Sequence, residues 1–230
     1  MLAVEEIVAG YGQSIVLHGV NVSVSSGKVA CLMGRNGVGK TTLLKSIVGL
    51  LPPRSGRVLL DGEDLSRAPV YRRARAGIGY VPQGRGIFPY LTVSENLLIG
   101  TETGRGSPAD LAEIYELFPV LSDMGQRPAG RLSGGQQQQL AIGRALVGRP
   151  RVLLLDEPTE GIQPSVIWEI ERTIDLLRQR GGLAILLVEQ FVDFAVGLSD
   201  DFYLMQGGTI VAQGSSKDLT EDSVREYLAV

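Results

Sequence analysis

The stretch Gly34-Arg35-Asn36-Gly37-Val38-Gly39-Lys40-Thr41 constrains this chain more than any other. It fits the pattern G-x-x-x-x-G-K-[ST]. A short apolar run, VACLM at residues 29–33, precedes it. KTTLLKSIVGLL, residues 40–51, follows with helical periodicity until Pro52-Pro53 stops it. In such a strand–turn–helix, backbone N–H groups curl around an anion and the helix N-terminus adds its positive dipole end. The turn predicts binding of a nucleotide's phosphates. Lys40 is placed to reach the β- and γ-phosphates, and the Thr41 hydroxyl to sit on Mg²⁺.

A second apolar run, residues 152–155, ends in Asp156-Glu157-Pro158. An acidic residue at the C-terminal end of a buried strand points into the ligand crevice of a doubly wound sheet. Asp156 is expected to hold Mg²⁺, directly or through water. Glu157 is the candidate general base that polarises the attacking water. Taken alone the pair would read as a solvated acidic turn, and the phosphate loop upstream decides for the functional reading.

The rest of the chain fits an α/β protein. Residues 2–24 read as two strands joined through Gly10–Gly12, forming an antiparallel edge or subdomain. Residues 57–60 and 78–81 read as further strands. From about residue 84 to 149 the chain turns helix-prone, at 94–99, 108–118 and 135–147. A helix at 167–180 separates apolar strands at 152–156 and 184–188, the spacing of a parallel sheet with crossover helices. FYLMQGGTIVAQG, from Phe202, signals a hairpin, and a short helix is expected at 220–228. The expected fold is a phosphate-loop NTPase core with a mixed sheet, an N-terminal antiparallel β subdomain and an inserted α-helical subdomain. The boundaries are 1–84 and 148–230 for the core and 85–147 for the insertion, within one domain.

Composition excludes several classes. Among 230 residues, 22 Lys+Arg stand against 25 Asp+Glu, a net charge of −3, so no general pull on nucleic acid is expected. The longest apolar run, residues 183–188, is far below the roughly 20 residues that a membrane helix needs. No secretory signal is visible at the N-terminus. The single Cys31 cannot form an internal disulfide, and the chain reads as cytoplasmic.

Leu132-Ser133-Gly134-Gly135-Gln136 lies between the phosphate loop and the acidic strand. It resembles the signature sequence of ATP-binding cassette (ABC) ATPases. Gln83, after the strand at 78–81, is similar to that family's Q-loop glutamine. Tyr11 sits where the family places an aromatic that stacks on adenine. The resemblance covers essentially the whole chain. It implies that ATP is held by Tyr11, Gly34, Asn36, Gly37, Gly39, Lys40, Thr41 and Thr42. Mg²⁺ would be held by Thr41, Gln83 and Asp156. Ser133, Gly134, Gly135 and Gln136 would close on the ATP of a second subunit in a head-to-tail dimer. The implied activity is ATP + H₂O to ADP + phosphate, with Glu157, Lys40, Gln83 and Gln190 as the catalytic set.

GRGIFPYLTVSENLLIG from Gly84 resembles the ATPases of branched-chain amino-acid and urea importers. DEPTEGIQPS from Asp156 and LLVEQFVDFA from Leu186 are most similar to the urea importer ATPases. The implied partners are a second ATP-binding subunit, membrane permeases and, indirectly, an extracytoplasmic substrate-binding protein, with no nucleic acid. The implied location is the cytoplasmic face of the membrane, as a peripheral subunit. Uptake of urea is the expected task, with branched-chain amino-acid or short-chain amide import as the alternative. A soluble ABC ATPase on nucleic acid or ribosomes, and a nucleotide clamp with little turnover, are the readings from other classes. Two positions depart from the family pattern. Gln190 stands where a histidine is usual and Gln163 near where an aspartate is usual, and an amide cannot carry a proton at neutral pH as imidazole can.

Other residues read blandly. His18 has no ligand cluster around it, and Cys31 is a small buried hydrophobe. Arg72, Arg73 and Arg75 read as a solvated helix face, and Trp168 as packing on the helix after the acidic strand. Phe88, Pro89 and Tyr90 follow Gln83 as an apolar segment and, by the resemblance, would receive a helix of a membrane subunit.

Overall fold

A computed structural model describes residues 1–190 and 197–218, so the helix expected at 220–228 lies outside the described residues. The chain opens with β1 (Leu2–Ala9), β2 (Leu17–Val24) and β3 (Val29–Met33). After α1 (Lys40–Val48), β4 (Ser55–Leu60) and β5 (Glu63–Asp64) return to β1. These N-terminal strands close a sheet of their own, ordered β2-β1-β4-β5 and antiparallel throughout. They are not the edge of the parallel sheet.

That second sheet uses β3, β6 (Ile78–Val81), β7 (Val152–Asp156), β8 (Ala184–Glu189), β9 (Asp201–Gln206) and β10 (Thr209–Ser215). Its order is β10-β9-β3-β8-β7-β6, and only the β9–β10 hairpin pairs antiparallel. The antiparallel edge is therefore C-terminal. Strands β3, β7 and β8 are buried along their whole length because both faces are covered. The two-residue period divides them cleanly. Cys31, Leu153 and Leu187 join one core with the helices α6 (Gly134–Val147) and α7 (Pro164–Arg180). Leu32, Leu154 and Leu186 join the other with α1 and the antiparallel sheet.

Between β6 and β7 the chain makes α3 (Val93–Ile99), α4 (Leu111–Leu117), α5 (Pro119–Asp123) and α6. Thr92 opens α3 with a reciprocal capping box to Glu95. The helix expected at 108–118 divides in two, a 3-10 turn at Pro108–Asp110 and then α4. Pro119 ends α4, because it lacks the N–H that would carry that helix onward, and instead starts α5.

Two side chains contradict the sequence reading. Arg73, on α2 (Val70–Ala76), is 2 % exposed rather than solvated. Its guanidinium donates to the carbonyls of Ser46 and Ile47 at 2.7 and 2.8 Å and of Ala68 and Ser66 at 2.9 and 2.8 Å. It thus satisfies orphan carbonyls at the C-terminal end of α1, where a cation is also favoured by the helix dipole. Trp168 is 63 % exposed rather than packed. Helix α7 buries Ile170, Thr173, Ile174 and Leu177, and Trp168 falls outside that stripe.

Arg73→Met is expected to lower unfolding free energy by about 2–4 kcal/mol, because two buried and two partly buried carbonyls lose a charged donor. Arg72→Met, at an exposed neighbour, should stay within about 0.5 kcal/mol of the parent. Urea denaturation of both variants checks this, and equal effects would contradict the capping role.

Candidate functional site

The parallel strands end together. Asp156 closes β7 opposite Val188 of β8, and Met33 closes β3 opposite Glu189. The loop Gly34–Gly39, the Asp156-Glu157 pair, Gln190 and Gln83 therefore leave from the carboxyl ends of neighbouring strands, where open α/β sheets bind ligands.

The loop after β3 is shaped by its glycines. Gly39, the residue before α1, has φ +115°, and a Cβ there would lie 2.9 Å from the Leu17 side chain. Lys40 begins α1 and is 4 % exposed. Its ammonium donates back to the carbonyls of Gly34 (2.8 Å) and Arg35 (3.0 Å) and lies 3.3 Å from Glu157 Oε1. Arg35, Asn36 and Gly37 are exposed, and Thr42 is buried in α1. Tyr11 is half exposed on the turn between β1 and β2, the same turn that brings Val16 and Leu17 against Gly39.

Glu157 is the hub of the site. Its φ of +48° is left-handed, a conformation that costs a non-glycine residue about 1–2 kcal/mol. Its N–H is fixed to the Val188 carbonyl at 2.9 Å. Oε1 accepts from Gln190 Nε2 at 2.8 Å besides facing Lys40, and Oε2 accepts from Gln83 Nε2 at 3.2 Å. Gln190 Nε2 also donates to Asn36 Oδ1 at 2.7 Å, and Gln83 Nε2 to Glu160 Oε2 at 2.8 Å. The expected residues Asn36, Lys40, Gln83, Glu157 and Gln190 are thus in one hydrogen-bonded network.

Asp156 is 1 % exposed. Thr41 Oγ1 donates to its Oδ1 at 3.2 Å and Tyr80 Oη to its Oδ2 at 3.3 Å. Burial pushes its carboxyl up, with Glu157 adding to this, while the Thr41 and Tyr80 hydrogen bonds and Lys40 pull it down. Among the described residues no group of three or more His, Cys, Asp or Glu is placed to hold a metal ion. A hydroxyl and a buried carboxylate side by side nevertheless suit Mg²⁺, which takes one or two protein oxygens and completes its shell with phosphate and water.

The segment Ser133–Gln136 stands outside this network. Ser133 caps α6 in a reciprocal box with Gln136, at 3.3 and 3.0 Å. Gly135 packs so closely on α7 that a Cβ would lie 2.6 Å from Val166. Ser133 is exposed, and with the first N–H groups of α6 it offers donors outward. Gln163 precedes α7 and makes no side-chain cap.

Sequence reasoning missed Tyr80 and Glu189. Glu189 is 1 % exposed and ends β8 as Asp156 ends β7. Its Oε1 accepts from the Thr159 N–H (3.2 Å) and hydroxyl (2.8 Å), and its Oε2 from the Gln190 N–H at 3.1 Å. It pins the turn after Glu157 to the end of β8. The signal was available, since an acid terminating an all-apolar strand is costly to bury unless paired.

A family profile described as ABC transporter matches residues 17–160. The high-affinity branched-chain amino acid transport ATP-binding protein BraG of Pseudomonas aeruginosa is 40 % identical over 98 % of both chains. The probable branched-chain amino acid transport ATP-binding protein LivF of Archaeoglobus fulgidus is 38 % identical over 100 % of this chain and 98 % of its own. Among solved structures, a nucleotide-free ATP-binding cassette from an ABC transporter aligns at TM-score 0.85 with 30 % identity, covering 100 % of this chain and 95 % of that one.

Buried charge at Asp156 has a stability cost with a definite sign. Its folded pKa lies above the ordinary 3.8, so in that window the folded state binds more protons and stability is gained as pH falls. Asp156→Asn should therefore raise the melting temperature of the nucleotide-free protein at neutral pH by about 2–4 °C. It should also flatten the pH dependence above pH 4 and abolish Mg²⁺-dependent ATP hydrolysis. Calorimetry across pH, with an ATPase assay, checks both.

Proposed function

This chain belongs to the ABC transporter family, and from that premise we propose that it is the ATP-hydrolysing subunit of an importer for branched-chain amino acids. One observation carries the catalytic part: the Glu157 carboxylate is held between the phosphate-loop lysine and the amides of Gln83 and Gln190. In this reading Gly34, Gly37, Gly39, Lys40, Thr41 and Thr42 bind the nucleotide phosphates, Asn36 and Gln190 contact the terminal one, and Tyr11 stacks on adenine. Thr41, Asp156 and Gln83 hold Mg²⁺, which neutralises phosphate charge when bound. Phosphate oxygens give the Lys40 ammonium a better partner than its own loop carbonyls and separate it from Glu157. Glu157, kept in position by two amide donors, then takes a proton from the attacking water. Neither Gln83 nor Gln190 titrates, so they orient and do not relay protons.

Residues 85–147 act as a helical subdomain carrying Ser133–Gln136, which close on the nucleotide of a second ATP-binding subunit. A groove lined by Val48, Leu50, Val70, Ile99 and Arg144 lies between α1, α2 and this helical part. Phe88 stacks on Arg144 at 5.1 Å, and neighbouring Tyr90 is 96 % exposed. That apolar surface suits a permease helix. No helix among the described residues is long and apolar enough to cross a membrane, and in this reading the chain is bound to permeases at the cytoplasmic face, with a substrate-binding protein acting on the far side.

The cargo reading rests on the two relatives named for branched-chain amino acid transport, each aligned over nearly its whole length. Urea is the second reading, supported by DEPTEGIQPS and LLVEQFVDFA; residues 191–195 of the latter lie outside the described structure. Uptake of labelled leucine and labelled urea, in cells carrying the parent or Lys40→Ala chain, separates them. Loss of leucine uptake alone supports the first reading, and loss of urea uptake alone replaces it with the second.

Lys40→Ala should weaken ATP binding by about a hundredfold while the fold survives. Glu157→Gln should bind ATP normally, lose about 10²–10⁴-fold in kcat and accumulate as an ATP-bound dimer on gel filtration. Parent turnover in Glu157→Gln would remove Glu157 from the role of base.

A further inference from the structure

Three consecutive residues after Gln83 adopt left-handed backbone: Gly84 (φ +76°), Arg85 (φ +73°) and Gly86 (φ +60°). Two are glycines, which tolerate this; Arg85 is not. The turn is closed by the Arg85 N–H on the Pro82 carbonyl at 3.0 Å and the Gly86 N–H on the Gly84 carbonyl at 2.9 Å. It lays the Arg85 guanidinium against Gly134, where a Cβ would come within 3.0 Å of Nη2 and 3.4 Å of Cζ. Arg85 Nη1 donates to Gln137 Oε1 at 3.2 Å, and Gln137 Nε2 donates to the Leu132 carbonyl at 3.1 Å. Seven residues on, and so on the same face of α6, Arg144 Nη2 donates to the Gly86 carbonyl at 2.8 Å. The segment that begins with Gln83 is thus pinned along one face of the helix that begins with the signature turn.

We propose that Arg85 is a positioning residue that holds the signature turn in register with Gln83. Gln83 bonds the carboxylate of Glu157 in this chain's own nucleotide site, while the signature turn completes the site of the second subunit. Arg85, two residues from Gln83, links the two sites through a planar guanidinium on Gly134 and a hydrogen bond to Gln137. The proposal rests on the functional reading above, in which Glu157 and the signature act on different nucleotides.

The test compares the parent, Arg85→Ala, Arg85→Lys, Gln137→Leu and the double variant Arg85→Ala/Gln137→Leu. Steady-state ATPase gives kcat and KM, and titration with ATP gives the affinity of the phosphate-loop site. Arg85→Ala is expected to lower kcat about tenfold with ATP affinity and melting temperature unchanged. Gln137→Leu should act in the same direction, and the double variant should be no slower than the slower single one. Arg85→Lys should recover part of the loss, since an ammonium can reach Gln137 but cannot lie flat on a peptide. Parent kcat in Arg85→Ala, multiplying effects in the double variant, or a loss explained by weaker ATP binding or a lower melting temperature would each overturn it. A parent chain that hydrolyses no ATP, or a Lys40→Ala chain that hydrolyses it normally, would instead overturn the underlying site assignment.

Discussion

The carboxylate of Glu157 ties together segments that are distant in sequence and meet only because the parallel strands end in register. Lys40 reaches it from the loop after β3, Gln83 from the end of β6 and Gln190 from the end of β8. A buried carboxylate is costly unless it is paired and hydrogen-bonded, and here each partner comes from a different strand. The strain at φ +48° is tolerated because the Glu157 N–H is bonded to Val188 and the next turn is clamped by Glu189. The sheet register is therefore what makes the site possible, and the same all-apolar strands that bury the core deliver the acids at their ends.

The carboxyl ends of these strands are built at the expense of resting stability. Asp156 sits in a place that disfavours its own charge, and Lys40 satisfies itself with carbonyls of its own loop. In the proposed site both arrangements would be improved by a bound anion with its cation, so that binding would relieve a cost rather than add one. Gln190 fits this logic. As an amide it holds Asn36 and Glu157 simultaneously, at 2.7 and 2.8 Å, with the same bonding across the physiological pH range.

What could be read from the sequence follows from how strictly physics ties residue type to position. The sharp turn between β3 and α1 was legible because Gly34, Gly37 and Gly39 all adopt a positive φ that glycine tolerates best. Strands β3, β7 and β8 were legible because burial on both faces leaves unbroken apolar runs. Arg73 was misread because a run of arginines defaults to solvent, and nothing local reveals that α1 ends against it with unsatisfied carbonyls. Trp168 was misread because aromatic residues default to the core, whereas the apolar stripe of α7 runs through Ile170 and Ile174. The role of Glu189 is not legible locally, because its partner Thr159 is 30 residues away and meets it only through the register of β7 and β8. The placement of the N-terminal strands in a separate sheet depends on pairing with β4, a long-range choice that alternation alone does not encode.

The helical part is held by packing and by polar contacts at its margins. Inside, it is close-packed: a Cβ at Gly143 of α6 would lie 2.8 Å from Ile114 of α4 and 3.2 Å from Leu97 of α3. At its rear, Arg149 pairs with Asp110 and Arg180 with Glu113, with the arginines and Glu113 substantially exposed. Exposed pairs of this kind contribute little and weaken with salt. At its front, the Arg85 guanidinium bonds Gln137 in a partly buried contact, and the Arg144 guanidinium bonds the Gly86 carbonyl at the surface. Its seat on the rest of the molecule is the shared core, in which Leu140 and Ile142 of α6 cluster with Leu153 of β7 and Ile170 of α7, together with the close approach of Gly135 to Val166. The front contacts lie two and three residues from Gln83, whose amide bonds the Glu157 carboxylate, so one hydrogen bond and a short run of chain connect that carboxylate to α6.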